Sequence, residues 1–258
     1  MLRFDHYPGN ARLKLVLLHG LFGSAKNFAS VASALTDTAE VYAYDARNHG
    51  GSSHTATHTL ADLTQDLADF LRERQIAHPV LMGHSMGGLT VMNFARLFPD
   101  VPRALVAVDI APRTYAPAHE REIAAQKIDV TLFRERREID AAMAEILPEA
   151  TIRAFLQMNL GRSESGTFRW QNNVAAIENS PERTVFPVFK PPLFGGPALC
   201  VRGLDSDYVT DADAELMKSA FPLLELHSLP GAGHWLHHTH RDALLGMVLG
   251  FLQSLSKH

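Results

Sequence analysis

Two short runs, "KLVLLH" (Lys14–His19) and "ALVAVD" (Ala104–Asp109), constrain this chain more than any other feature. They are apolar almost end to end, without the alternation of a sheet that keeps one face in water. Strands covered on both faces of a parallel sheet read this way. Counting the first from Leu13, further runs at Val41–Asp45, Val80–Gly83, Ala198–Arg202 and Leu224–Leu229 complete a set of expected strands. Parallel strands need crossovers, and helical patterns lie between these runs. In "LADLTQDLADFLRER", Leu60, Leu63, Leu67, Phe70 and Leu71 fall on one helical face, as in a helix that covers a sheet. Thr59 with Asp62, Thr210 with Asp213 and Thr239 with Asp242 each fit a capping box ahead of an apolar-periodic run. The pattern predicts a doubly wound α/β architecture.

Residues 111–196 break the rhythm. "REIDAAMAEILP" and "EATIRAFLQMNLG" are helix-like, with little strand signal, and "FPVFKPPLFGGP" returns the chain to a strand around Leu199. The expected organisation is a core of residues 1–110 and 197–258, with a helical lid of residues 111–196 set upon it.

The length of 258 residues suits one large α/β domain, and a formal net charge of -4 gives no clustered basic surface for nucleic acid. The longest apolar run, "LVLLHGLF", falls short of the ~18 residues of a membrane span. The opening "MLRFDHYPGN" lacks a basic-then-apolar signal pattern. The single cysteine, Cys200, permits no intrachain disulfide and reads as a buried thiol, so a reducing cytoplasm is the expected location.

"GHSMG" (Gly83–Gly87) fits G-x-S-x-G in its informative context, with an expected strand before it and an expected helix, Gly87–Phe98, after it. A serine on such a strand-to-helix turn is forced out over the sheet edge, and the glycines let the helix pack back over the strand. A bland Gly/Ser turn is the competing reading of the motif alone. Ser85 is therefore the expected nucleophile, and a hydroxyl needs a base. Among 14 histidines, His234 in "LPGAGHWLHH" follows the last expected strand across a glycine-rich loop, which brings it to the same sheet edge. His237, His238 and His240 lack a carboxylate set or convincing ligand spacing, so no metal is expected. The base needs a carboxylate. Asp109 ends the strand after the elbow, whereas Asp205 and Asp207 follow the strand around Leu199, and all three preserve the order Ser…Asp…His. The amides of Leu21, in "HGLFGS", and of Met86, next after the nucleophile, are the expected oxyanion donors.

These segments together, "HGLFGS", "YDARNHGGS", "MGHSMGG", "DIAPRTY" and "GAGHW", resemble the α/β-hydrolases over essentially the whole chain. The closer resemblance is to small bacterial esterases and acyl-thioesterases related to mitochondrial α/β-hydrolase-domain proteins. It implies the α/β-hydrolase fold, with the lid entering after the sixth strand. It also implies hydrolysis of carboxylic esters of small molecules, with tolerance for acyl thioesters and no cofactor. The aspartate of the D-I-A-P segment, Asp109, would support the histidine, and Ser206 would stand where the usual acid stands; this chain departs in flanking Ser206 with Asp205 and Asp207. The resemblance makes Arg47, Asn48 and His49 organisers of a loop near the oxyanion site.

The expected reaction is a two-step acyl transfer through an acyl-enzyme on short- to medium-chain esters. Phe133, Phe155, Leu156 and Trp170 are candidate walls of an acyl pocket, and Arg134, Arg136 and Arg137 in "FRERRE" could meet a coenzyme A phosphate, although a solvated helix face is the simpler reading. The same constellation serves carbon–carbon bond hydrolases, lactonases and perhydrolases, and the fold can serve as a ligand-binding receptor. The sequence leaves the oligomeric state open.

Overall fold

A computed structural model describes residues 1–9, 12–116 and 118–255. Strands β1 (Phe4–Tyr7), β2 (Leu13–Leu18), β3 (Ala39–Tyr44), β4 (Val80–His84) and β5 (Ala104–Val108) come first along the chain. A short antiparallel pair follows, β6 (Leu160–Arg162) with β7 (Phe168–Trp170), and then β8 (Ala198–Gly203) and β9 (Leu224–Leu229). The main sheet has the order β1-β3-β2-β4-β5-β8-β9. Its pairs are parallel except β1 with β3, where Phe4 faces Tyr44.

The helices are α1 (Ala29–Ala34), α2 (Leu60–Glu73), α3 (Met86–Leu97), α4 (Glu120–Gln126), α5 (Arg136–Ala144), α6 (Ala150–Gln157), α7 (Val174–Glu178), α8 (Asp211–Ala220), α9 (Leu236–Thr239) and α10 (Arg241–Leu255). The period of two along each strand sends neighbouring side chains to opposite cores. Leu15, Leu17, Met82, Val106 and Val201 pack with α1 and α10. Val16, Leu18, Leu81, Leu105 and Cys200 pack with α2, α3 and α8. On α2, Leu60, Leu63, Leu67, Phe70 and Leu71 are all buried, each worth roughly 1.5–3 kcal/mol relative to exposure. The Thr59–Asp62 and Thr210–Asp213 capping boxes are present. The third differs: Thr239 closes α9 and its hydroxyl donates to the Trp235 carbonyl at 3.3 Å. As the last residue of a helix, Thr239 lacks the extended backbone that the N-cap of a box with Asp242 would need.

Between β5 and β8 the chain leaves the sheet. By chain order this excursion follows the fifth described strand, not a sixth, because β1 alone precedes β2. It is not wholly helical either, since Leu160 pairs with Trp170 and Arg162 with Phe168. Its own apolar cluster joins Ile139, Met143, Leu156, Phe168 and Ile177 to Phe22 of the loop after β2, so the excursion shares a core with a loop at the sheet's carboxyl edge. Strand order turns at β2, which lies between β3 and β4. The crevice beyond the carboxyl ends of strands at such a switch point is where open α/β sheets place ligands.

Candidate active site

Ser85 stands between β4 and α3 with φ 52° and ψ −119°, a conformation that a residue with a Cβ adopts only under constraint. Its N–H donates to the Val108 carbonyl at 3.2 Å, and its carbonyl accepts from Leu89 at 3.0 Å. The two glycines of the motif are required by close approach. A Cβ on Gly83 would lie 2.2 Å from the Gly87 carbonyl oxygen, and one on Gly87 would lie 2.3 Å from that of Leu18.

His234, in the loop between β9 and α9, has Nδ1 2.8 Å from Asp109 Oδ2. Asp109 directly follows β5, is fully buried and has φ 51°. Its Oδ1 accepts the Gly203 N–H at 2.9 Å, and its Oδ2 also accepts the Ser206 hydroxyl. The carboxylate is thus held from β8, from the loop after β8 and by His234. Asp205 and Asp207 are exposed. The backbone N–H of Asp205 donates to Ala232, and the Asp207 carbonyl accepts from Arg113. Among the described residues neither carboxylate bonds His234.

The rings of His84, Tyr208 and Trp235 frame the imidazole. His84 donates from Nε2 to the His234 carbonyl at 2.8 Å. Burial, then neighbouring His237 and His234, hold His84 well below the usual histidine range, so it remains a neutral donor. The Tyr208 ring lies flat on His234, with centroids 3.6 Å apart and planes 14° apart. His237 is buried against His84 and Phe28, and burial pushes it down to about 3. His238 is exposed.

Two neutral histidines fix the loop after β2. His19 Nε2 accepts the Ala46 N–H at 2.9 Å, which leaves Nδ1–H to donate to the Gly20 carbonyl at 2.8 Å. His49 Nε2 accepts the Phe22 N–H at 3.1 Å, and its Nδ1–H donates to the Arg47 carbonyl. Burial lowers both from the ordinary histidine value. Arg47 forks onto Asp66, and Asn48 joins Thr55 to Asn173 of the excursion. The Leu21 and Met86 N–H groups donate to no acceptor among the described residues, and both residues line a cavity with Ser85.

Two cavities meet at Ser85. One, of about 30 Å³, is shared with His234, Glu122, Ile152, Phe155 and Leu156. The other, of about 220 Å³, is more apolar and is bounded by Leu89, Ile110, Tyr115, His119 and Tyr208. Ser85 and His234 share the smaller cavity without a hydrogen bond between them among the described residues; such bonds commonly tighten only around substrate. Of the expected pocket walls, Phe155 and Leu156 line the smaller cavity. Phe133 and Trp170 do not line either cavity: they pack on the apolar cluster of the excursion, and the Trp170 indole donates to the Ile128 carbonyl. Helical periodicity marked them as apolar-facing, and their own local core satisfies that pattern. Arg136 donates to the Gln157 and Leu160 carbonyls, and Arg137 pairs with Glu135 on the surface.

The sequence reading missed Tyr208, His119, Glu122 and the larger cavity. Tyr208 had one local signal, its place two residues after Ser206. His119 and Glu122 had none, because only the return of the excursion over the sheet brings them to Ser85.

Comparison with known proteins identifies the family. A family model described as "alpha/beta hydrolase fold" matches residues 15–241. The chain is 37% identical to the "sn-1-specific diacylglycerol lipase ABHD11" of Xenopus tropicalis, across 98% of this chain and 82% of that protein. It is 33% identical to "Esterase YbfF" of Escherichia coli (strain K12), across 92% of each. Among solved structures, a "Marine microorganism esterase" superposes with a TM-score of 0.91 at 35% identity, over 97% of this chain and 98% of that one.

Proposed function

Because the chain belongs to the α/β-hydrolase family and is a carboxylic ester hydrolase, we propose that it hydrolyses short- to medium-chain acyl esters through Ser85, His234 and Asp109. The observation that carries this reading is the 2.8 Å contact between His234 Nδ1 and the buried Asp109 carboxylate, beside a cavity that His234 shares with the elbow serine.

Ser85 Oγ attacks the ester carbonyl carbon while His234 Nε2 takes its proton. The oxyanion is met by the Leu21 and Met86 N–H groups, which have no other described acceptor, and such preorganised donors are often the largest single contribution to rate. The tetrahedral intermediate collapses as the imidazolium protonates the departing alcohol, leaving Ser85 acylated. His234 then takes a proton from water, whose oxygen attacks the acyl carbon, and the acid departs as Ser85 regains its hydrogen. Asp109 holds the proton-bearing Nδ1 and offsets the imidazolium charge.

The larger cavity, about 220 Å³, exceeds the roughly 150 Å³ that suffices for benzene in an apolar cavity. It suits an acyl chain of medium length. One relative is named a diacylglycerol lipase, so a short-chain diacylglycerol belongs in the substrate panel with p-nitrophenyl esters of graded length and the matching acyl-CoA thioesters. Turnover of p-nitrophenyl butyrate is expected, lost in Ser85→Ala. Undiminished turnover in that variant overturns the mechanism, and a steep preference for the thioesters overturns the ester assignment.

A further inference from the structure

We propose that Tyr208 is a positioning residue whose ring carries His234 through its charged state, and that His119 and Glu122 of the excursion hold that ring in place. This inference rests on the reading of His234 as the base.

The stacking is unusually close for a side chain with no assigned role, at 3.6 Å between centroids and 14° between planes. Tyr208 is fixed from four directions. Its N–H donates to the Ser206 hydroxyl oxygen at 3.3 Å, and that hydroxyl donates to Asp109. Its carbonyl accepts the Tyr115 hydroxyl at 2.9 Å. Its own hydroxyl meets His119 Nε2 at 3.4 Å, and His119 Nδ1 lies 3.3 Å from Glu122 Oε1. The fourth direction is the face covered by His234.

An aromatic face attracts a cation, and His234 becomes one each time it takes the serine proton. With the His119 proton on Nδ1, toward Glu122, Nε2 is an acceptor and the Tyr208 hydroxyl donates to it. Donation enriches the ring that faces the imidazole. Burial raises the Tyr208 phenol above its ordinary range, with Glu122 and Asp109 adding to the effect, so the ring stays neutral. The other titratable groups around His234 are Asp109 at Nδ1, His84 beneath its backbone carbonyl, and His237 beyond His84. Asp205 and Asp207 stand exposed on the Tyr208 loop. Of the uncharged neighbours, Tyr208 covers the imidazole face to face, while Trp235 meets it edge-on.

The sign of the effect follows from the chemistry. His234 accepts a proton only when neutral, so activity falls on the acidic side as the free enzyme protonates. A ring that favours the imidazolium makes that protonation occur at higher pH. Removing the ring moves the acidic limb of kcat/KM to lower pH and also lowers the plateau, because the transition-state imidazolium loses its partner.

The test is the pH profile of p-nitrophenyl butyrate hydrolysis in Tyr208→Leu and Tyr208→Phe, with circular dichroism to establish folding. Tyr208→Leu is expected to move the acidic limb down by about half a pH unit and to lower the plateau by about 3- to 30-fold. Tyr208→Phe, which keeps the ring, should retain most of the limb position. An unmoved limb in Tyr208→Leu overturns the proposal, as does an equal displacement in both variants. If Tyr208→Leu fails to fold, Tyr208→Gln carries the same test. Labelling of Ser85 by a fluorophosphonate separates the two layers of inference. Labelling in His234→Ala as fast as in the unaltered protein overturns the reading of His234 as base. Slow labelling there, with an unmoved limb in Tyr208→Leu, overturns the role of Tyr208 alone.

Discussion

Replacing Asp109 with Asn removes a charge while keeping the shape of a fully buried side chain. The carboxylate accepts three donors: the Gly203 N–H on Oδ1, and the Ser206 hydroxyl with His234 Nδ1–H on Oδ2. Asparagine can enter in two orientations. With its NH₂ toward Gly203, two donors face one another in a buried site, which costs about 1–3 kcal/mol. With its NH₂ toward Ser206 and His234, all three contacts of the side chain are kept, provided the half-buried hydroxyl turns its proton away to accept and the imidazole moves its proton to Nε2. The second arrangement is favoured by that same 1–3 kcal/mol. It leaves His234 with a donor where it needs an acceptor for the Ser85 proton. The expected outcome is a fall in kcat of about 10³–10⁴, as for the wrong tautomer in a Ser-His-Asp site, or about 4–5.5 kcal/mol at 1.36 kcal/mol per tenfold. The melting temperature should change little, since the favoured arrangement leaves no buried group unpaired. The assay is kcat and KM on p-nitrophenyl butyrate beside a thermal melt. A loss below tenfold in folded protein would refute the tautomer argument and the role of Asp109 with it.

Asp205→Asn should retain activity within about threefold, because an exposed charge away from a site usually contributes little, and a hundredfold loss would return the acid to that loop. Gly83→Ala sets a Cβ 2.2 Å from the Gly87 carbonyl oxygen and 2.5 Å from the Gly88 nitrogen, all backbone; at ~3 kcal/mol of overpacking the melting temperature should drop by roughly 6–12 °C, and an unchanged melt contradicts the close-approach account. His58 and His237 are pushed down to about 3 by burial, and His19, His49 and His84 are lowered for the same first reason. The unfolded chain therefore binds more protons once pH falls below about 6.5, and their stabilisation is full above that pH and lost progressively toward 3. Each contributes up to about 1.4 kcal/mol per pH unit, so urea midpoints should fall clearly from pH 7 to pH 5, and a flat profile would refute the buried-neutral assignment.

The sequence by itself determined the parallel strands of the main sheet, because burial on both faces leaves a run such as "KLVLLH" no polar position to lose. It determined the elbow at Ser85 too, since strand, glycine, serine, glycine and helix form one local turn whose steric demands are all written within five residues. His234 was legible as the histidine of a loop after the last strand. Edge strand β1 and the β6–β7 pair escaped notice, being four and three residues long with no sustained pattern. The choice of Asp109 as the partner of His234 was undecidable from spacing, because three aspartates preserve the same order. Only the register that sets β5 beside β8 brings Gly203 and Ser206 onto the Asp109 carboxylate and turns it to His234. The pocket was a tertiary matter for the same reason: Phe133, Phe155, Leu156 and Trp170 share apolar character, but only the return of the excursion over the sheet decides which of them reach Ser85. Local sterics are encoded locally; a partner 125 residues away is selected by the sheet that holds both ends.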